Sequence, residues 1–171
     1  MRYEEIKGAL SDTWPVDPFL DARHVDPGPG ELVPFAETIG RCFGAQTVEQ
    51  IFQRLSAVDG AQRNWTQAVI ADMKRASPLS LKVTHRHLRE SKARDLRQTL
   101  QVDYRLACRF LDGLDFYEGV RAALIDKDRS PEWQPARLED VSPSMVEDYF
   151  APLGSDELVL PTRKEMQAAR V

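Results

Sequence analysis

The sequence predicts an all-α protein, and three observations carry that prediction. Apolar residues recur at helical spacing through most of the chain. No stretch shows the alternation expected of a strand, and the Leu158-Val159-Leu160 run is too short to make a sheet. The eleven prolines cluster at the two ends, leaving Pro78 alone in the long middle stretch. Proline breaks helices, so the regular core is expected over residues 35–130. Residues 1–34 then form an N-terminal helix and a Pro-rich extended arm. Residues 131–171 form a second Pro-rich arm with one short helix. Six to seven helices are expected in all, with no substantial sheet.

The first arm, from Thr13 to Pro34, reads as an extended loop, and its DPGPG run cannot be helical. Phe35, Ile39, Cys42 and Phe43 then make a short stripe, stopped by Gly44 at a C′ position. Thr47 and Gln50 form a capping-box pattern that opens the next helix, which should bury Val48, Ile51, Phe52 and Leu55. Trp65, Ala68, Val69 and Met73 share a face of a third helix. Ser77 caps a fourth, with Pro78 at its first position. The longest helix spans about 94–112. Leu96, Leu100, Ala107 and Leu111 line its expected inner face, widened by Tyr104, Cys108 and Phe110, and Gly113 ends it. Asp115 and Glu118 give a D-x-x-E start to a sixth helix that carries Phe116, Val120, Ala123 and Leu124. Ser142-Pro143 opens a seventh that holds Met145, Val146, Tyr149 and Phe150. Connections between 44 and 115 are short, so neighbouring helices should pack antiparallel.

Composition narrows the function classes. The chain has 171 residues, 42% apolar and 29% charged, which is ordinary for a globular protein. The net charge of −4 leaves no strongly basic footprint for nucleic acid. No apolar run approaches the length of a membrane span, and the N-terminus has no signal-peptide core. Two distant cysteines, Cys42 and Cys108, fit a reducing, cytoplasmic setting.

Linear motifs for chemistry are sparse. His85 and His87 lie two apart, about 200° around a helix, so they do not share a face for a metal. His24 has no evident partner. No nucleophile elbow, dinucleotide fingerprint or Walker sequence occurs. No metal site and no cofactor are therefore expected. Residues 82–97 carry six basic side chains against Glu90 and Asp95, whereas residues 139–157 are acidic without a basic residue. The basic run could bind phosphate or could be a solvated face, and the two runs could also pair. Glu118 fits a capping role better than acid-base catalysis, since no partner is evident. Trp133, between two prolines, reads as an anchor against the body of the protein.

Longer segments are more specific. SPLSLKVTHRHL (77–88) resembles the S-P-x-S-x-K-x-T helix of the enoyl-CoA hydratase, or crotonase, superfamily. DFYEGVRAALIDKDRSPEWQP (115–135) is similar to the D-F-x-E-G-V-R-A-x-L-I-D-K-D-x-x-P-x-W segment of its 3-hydroxyisobutyryl-CoA hydrolases, thioesterases of valine breakdown. CFGAQTVEQIFQRL (42–55) and LGSDEL (153–158) resemble further stretches of that branch. The likeness spans about 35–158, and residues 1–34 align only loosely.

The resemblance implies a helical C-terminal segment of such an enzyme. In the family, the oxyanion hole and the catalytic acids come from the earlier, spiral part of the chain, so no catalytic residue is carried over. The partners implied are that missing N-terminal core, acyl-CoA through the parent enzyme, and further copies in a homo-oligomer. Hydratases place an aromatic ring and a lysine near the adenine and phosphates of CoA in an E-G-x-x-A-F-x-x-K pattern. Those positions fall here on Ala123 and Asp126, with Lys127 next in line. Lys127 is therefore the first candidate for a CoA phosphate contact, followed by Lys82 and Arg86. Two rival expectations stand beside this one: a free-standing helical interaction module, and part of a hydratase or isomerase.

Overall fold

The computed structural model describes residues 16–168 together with Glu4, Lys7 and Gly8. The helix expected near the N-terminus falls largely outside the described residues. The chain divides into two compact units, Met1–Glu37 and Thr38–Val171.

In the first unit a short helix, α1 (Val16–Asp21), interrupts the expected loop. Pro18 lies in its first turn, where a missing N–H costs nothing because that group has no intrahelical acceptor. The chain then runs irregularly through the DPGPG segment. Asp26 accepts from the Gly28 N–H at 2.8 Å, and Gly28 takes a φ of 73°, a left-handed conformation that glycine adopts without steric penalty. A 3₁₀ turn, Val33–Phe35, closes the unit.

Helix α2 (Ala36–Phe43) leads into the second unit. There follow α3 (Val48–Ser56), α4 (Arg63–Arg75), α5 (Pro78–Ser91), α6 (Leu96–Asp112), α7 (Leu114–Val120), α8 (Pro143–Phe150) and α9 (Arg163–Ala168). Among the described residues there is no strand. The nine helices found among them include two of only six residues, α1 and α9, beyond the six or seven expected.

The caps follow local sequence. Thr47 accepts from the Gln50 N–H at 3.2 Å. The Gln50 side chain reaches back to the Gln46 N–H rather than to Thr47, so only half of the expected box forms. Ser77 accepts from the Ser80 N–H and Ser142 from the Met145 N–H, each with proline next in line. At α6 a full capping box between Asp95 and Gln98 sets the start.

Two apolar clusters hold the second unit. One gathers Cys42, Ala45, Ile51, Leu55, Val58 and Ile70 from α2, α3, α4 and the turns between them. The other joins Leu79 and Val83 of α5, Val102 and Leu106 of α6, and Val141, Val146 and Phe150 of the second arm. That arm is thus part of the core. Its tail runs along α6, where Gln101 donates to the Leu158 carbonyl and Arg105 pairs with Glu157.

Three expected faces differ from those found. In α2, Cys42 is buried together with Thr38, while Phe43 is 38% exposed. In α4 the inner residues are Thr66 and Ile70, backed by Val69 and Met73, and Ala68 faces out. The largest difference is in α6. Val102 and Leu106 point inward, whereas Leu96 (74%), Leu100 and Leu111 are exposed and Ala107 lies outside with them. Helix α6 is apolar on two sides, and periodicity alone cannot say which side meets this core.

Candidate functional site

The segment from α7 to the start of the second arm concentrates the polar organisation of the chain. Helix α7 begins at Leu114 with Gly113 before it and no side-chain cap. Asp115 therefore does not act as the expected cap. It is buried, and it accepts from the Ser77 hydroxyl at 2.5 Å and from the Gln134 N–H at 2.9 Å. One carboxylate thus fastens the start of α5 and the loop before Pro135 to α7.

After Val120 the helix widens into a π turn, Arg121–Ile125, closed by the Asp126 N–H on the Arg121 carbonyl at 2.9 Å. Arg121 is the hub of this turn and of the loop beyond it. Its guanidinium donates twice to Glu118 (2.9 and 2.7 Å), to Asp126 (2.6 Å), to Asp128 (2.7 Å) and to the Ser130 carbonyl (3.2 Å). Glu118 also accepts from the Glu132 N–H at 2.7 Å, so it does not reach back to its own helix start as expected. The Arg121 hydrogen bonds and that N–H hold the Glu118 carboxyl at about 2, against an ordinary value of 4.5. The same hub pushes the Arg121 guanidinium upward and draws the Asp128 carboxyl down.

Both aspartates of Asp126-Lys127-Asp128 are bound to Arg121, and the backbone between and after them lies in the left-handed region. Lys127 has a φ of 58° and Arg129 a φ of 55°. Such angles are uncommon away from glycine; Lys127 lies between the two aspartates that pair with Arg121, and Arg129 lies between Asp128 and the Ser130 carbonyl, both held by Arg121. The Arg129 N–H donates to the Ala122 carbonyl at 3.1 Å. Trp133 completes the loop as the expected anchor. Its indole N–H donates to the Arg75 carbonyl at 2.9 Å, and its ring lies over Gly119, where an added Cβ would stand 3.3 Å from it.

The three candidate phosphate ligands have different surroundings. Lys82 pairs with Glu49 at 2.8 Å and donates to the Val141 carbonyl at 3.1 Å. Arg86 pairs with Glu90 and Glu147 and stacks 4.2 Å above the Phe150 ring. Both hold helices together, and the Arg86–Glu147 pair joins the basic and acidic runs within the chain. Lys127 is exposed and has no ion pair among the described residues. The structure does not bring the three into one site. The histidines are also separate: His85 meets the Ala45 carbonyl, and His87 meets Asp103 at 2.7 Å. Among the described residues, no group of three or more metal-ligating side chains occurs. None of their helices is long and apolar enough to cross a membrane.

Neither the Arg121 hub nor the position of Arg129 is announced by a linear motif. The Glu118–Arg121 spacing of three was a legible signal for an ion pair. The contacts to Asp126, Asp128 and Ser130 depend on the π turn, which no local pattern announces.

These helices and this loop make an all-α segment organised around the Arg121 hub. The profile of the enoyl-CoA hydratase/isomerase family matches residues 3–150, and the chain belongs to that family. It is 41% identical over 143 residues to a probable 3-hydroxyisobutyryl-CoA hydrolase 2 of Arabidopsis thaliana, covering 79% of this chain and 38% of the relative. It is also 41% identical to the mitochondrial 3-hydroxyisobutyryl-CoA hydrolase of Bos taurus, covering 90% of this chain and 36% of that one. Among solved structures it is similar to a carnitinyl-CoA dehydratase from Mycobacterium thermoresistibile. The TM-score is 0.77 at 33% identity, over 91% of this chain and 44% of the other. The chain therefore spans about a third of the length of the curated relatives it matches.

Proposed function

We propose that this chain is the C-terminal helical part of a 3-hydroxyisobutyryl-CoA hydrolase-like thioesterase of valine catabolism. It lacks the catalytic spiral and is inactive alone. Its role is to brace that missing part, to close the acyl pocket and to help hold the CoA. The observation that carries this reading is the outward face of α6. Leu96, Leu100, Tyr104 and Leu111 are each at least 40% exposed on one side of a helix whose other side is already packed. An apolar face of that length marks a surface built to meet another. The share of the relatives' length left uncovered supplies a natural counterpart.

In the whole enzyme the thioester would be hydrolysed by groups outside this chain. Acyl-CoA is the substrate of that parent, and no further cofactor is proposed. Lys127 remains the candidate for a CoA phosphate contact, because Lys82 and Arg86 are already committed to carboxylates. A cytoplasmic location belongs to the same proposal. Several relatives carry the word mitochondrial in their names, so imaging of the tagged full gene product decides it.

The test is turnover. The purified chain should not release CoA from 3-hydroxyisobutyryl-CoA above a buffer blank, and turnover by the chain alone would overturn the reading. A second reading is a free-standing helical interaction or oligomerisation module, favoured by the same α6 face. It expects a stable homo-oligomer by light scattering and no gain of activity with a catalytic partner. The names of the solved relatives favour a third, a hydratase or isomerase parent, which an assay of enoyl-CoA hydration would reveal.

A further inference from the structure

A groove of about 410 Å³ opens between the α2–α3 turn, the end of α4 and the length of α5. Its volume is in the range of small-molecule sites. Ile51, 3% exposed and part of the α2–α4 cluster, fixes its floor. Met73 lies beside it, and an unbranched thioether side chain adapts to the shape of what it meets. Phe43 and Leu88 stand among the lining residues with 38% and 63% of their surface exposed. Among the described residues, no carboxylate lines the groove.

Positive charge gathers at one end. Along α5 the lining runs from Ser80 to Lys92, with Arg89 in the last turn and Lys92 at the C-cap. Arg89 donates to the Ala45 carbonyl at 3.0 Å and to the Gln46 side chain at 2.6 Å, so its place is set while its charge has no carboxylate against it among the described residues. Lys92 is exposed, with neither an ion pair nor a side-chain hydrogen bond to any described residue. In the same basic run Lys82, Arg86 and Arg94 are all bound to carboxylates. An apolar trough with uncancelled positive charge at one end matches a molecule that is apolar along its length and anionic at its tip.

We propose that this groove binds an unbranched aliphatic carboxylate, its chain along Ile51, Met73 and Leu88 and its head group on Arg89 and Lys92. The anionic head separates this ligand from the thioester of the parent enzyme, which brings no charge to meet the two cations. The proposal does not depend on the thioesterase reading.

The test titrates decanoate, below its micelle concentration, into the full 171-residue chain by calorimetry, with the Met73 methyl group followed by NMR. Decanoate should bind and shift that resonance. Hexanoate should bind about tenfold more weakly, because its shorter chain removes less apolar surface from water. Decylammonium, with the same length and the opposite charge, should also bind about tenfold more weakly. Leu88→Glu and Lys92→Glu, both at exposed positions, should each weaken decanoate about tenfold, whereas Val159→Glu should leave it unchanged. No binding of decanoate, equal binding of decylammonium, or decanoate binding untouched by both groove variants overturns the proposal. A homodimer that Leu88→Glu separates, with no decanoate bound, overturns it in favour of a second copy of the chain.

Discussion

Ser77 donates its hydroxyl to Asp115 at 2.5 Å, across 38 positions of sequence, while the same oxygen accepts the Ser80 N–H. The contact ties the N-cap of α5 to the buried first turn of α7. Asp115→Ala would leave the Ser77 hydroxyl and the Gln134 N–H without their acceptor, at a cost of about 2–3 kcal/mol. Ser77→Ala should cost more than the roughly 1 kcal/mol of an ordinary cap, because it also strips a buried carboxylate. Urea unfolding of the two single variants and the double variant should show coupling between them. Strictly additive losses would refute it.

The α2–α4 cluster centres on Leu55, which is fully buried. Leu55→Ala should lower stability by about 2–5 kcal/mol through lost burial and a residual cavity. Leu96→Ala, at a residue 74% exposed, should change it by less than about 0.5 kcal/mol. A comparable loss at both positions in thermal melts would mean that the inner and outer faces have been misjudged.

The Arg121 hub has a defined pH range. The Glu118 carboxyl lies at about 2 in the folded chain and near 4.5 when free of the hub. An acid with a depressed value lends stability that is fully present above its unfolded value. That stability drains as the pH falls from about 4.5 toward 2. Backbone amide shifts of residues 126–130 and of Glu132 should hold steady from about pH 7 to about pH 5 and move only below that. Movement centred near pH 6 would rule out Glu118 as the controlling group.

How much of this was legible depended on the range of the interaction. Thr47, Ser77-Pro78 and Ser142-Pro143 act on backbone within three residues, and their pattern was sufficient to place three helix starts. The faces were harder. Helix α6 carries Val102 and Leu106 on one side and Leu96, Leu100 and Leu111 on the other, and the longer stripe looked like the core side. It looked so because a stripe reports that something covers it, not that this chain does. Asp115 and Glu118 sat at capping spacing, yet both were drawn into contacts across the fold, Asp115 by Ser77 and Glu118 by Arg121 and Glu132. Arg129 had no motif at all. Its left-handed backbone follows a π turn and sits among the contacts that Arg121 makes to Asp128 and Ser130.

The outer α6 face should be the surface that meets the catalytic part of the enzyme, and complementation by separate pieces tests it. The chain would be mixed with the separately produced catalytic portion of a 3-hydroxyisobutyryl-CoA hydrolase, and CoA release from 3-hydroxyisobutyryl-CoA would be followed. Neither piece should work alone, the mixture should, and Leu100→Glu with Leu111→Glu should abolish the gain while the chain stays folded. A mixture no faster than its parts, or a gain indifferent to those substitutions, would contradict it.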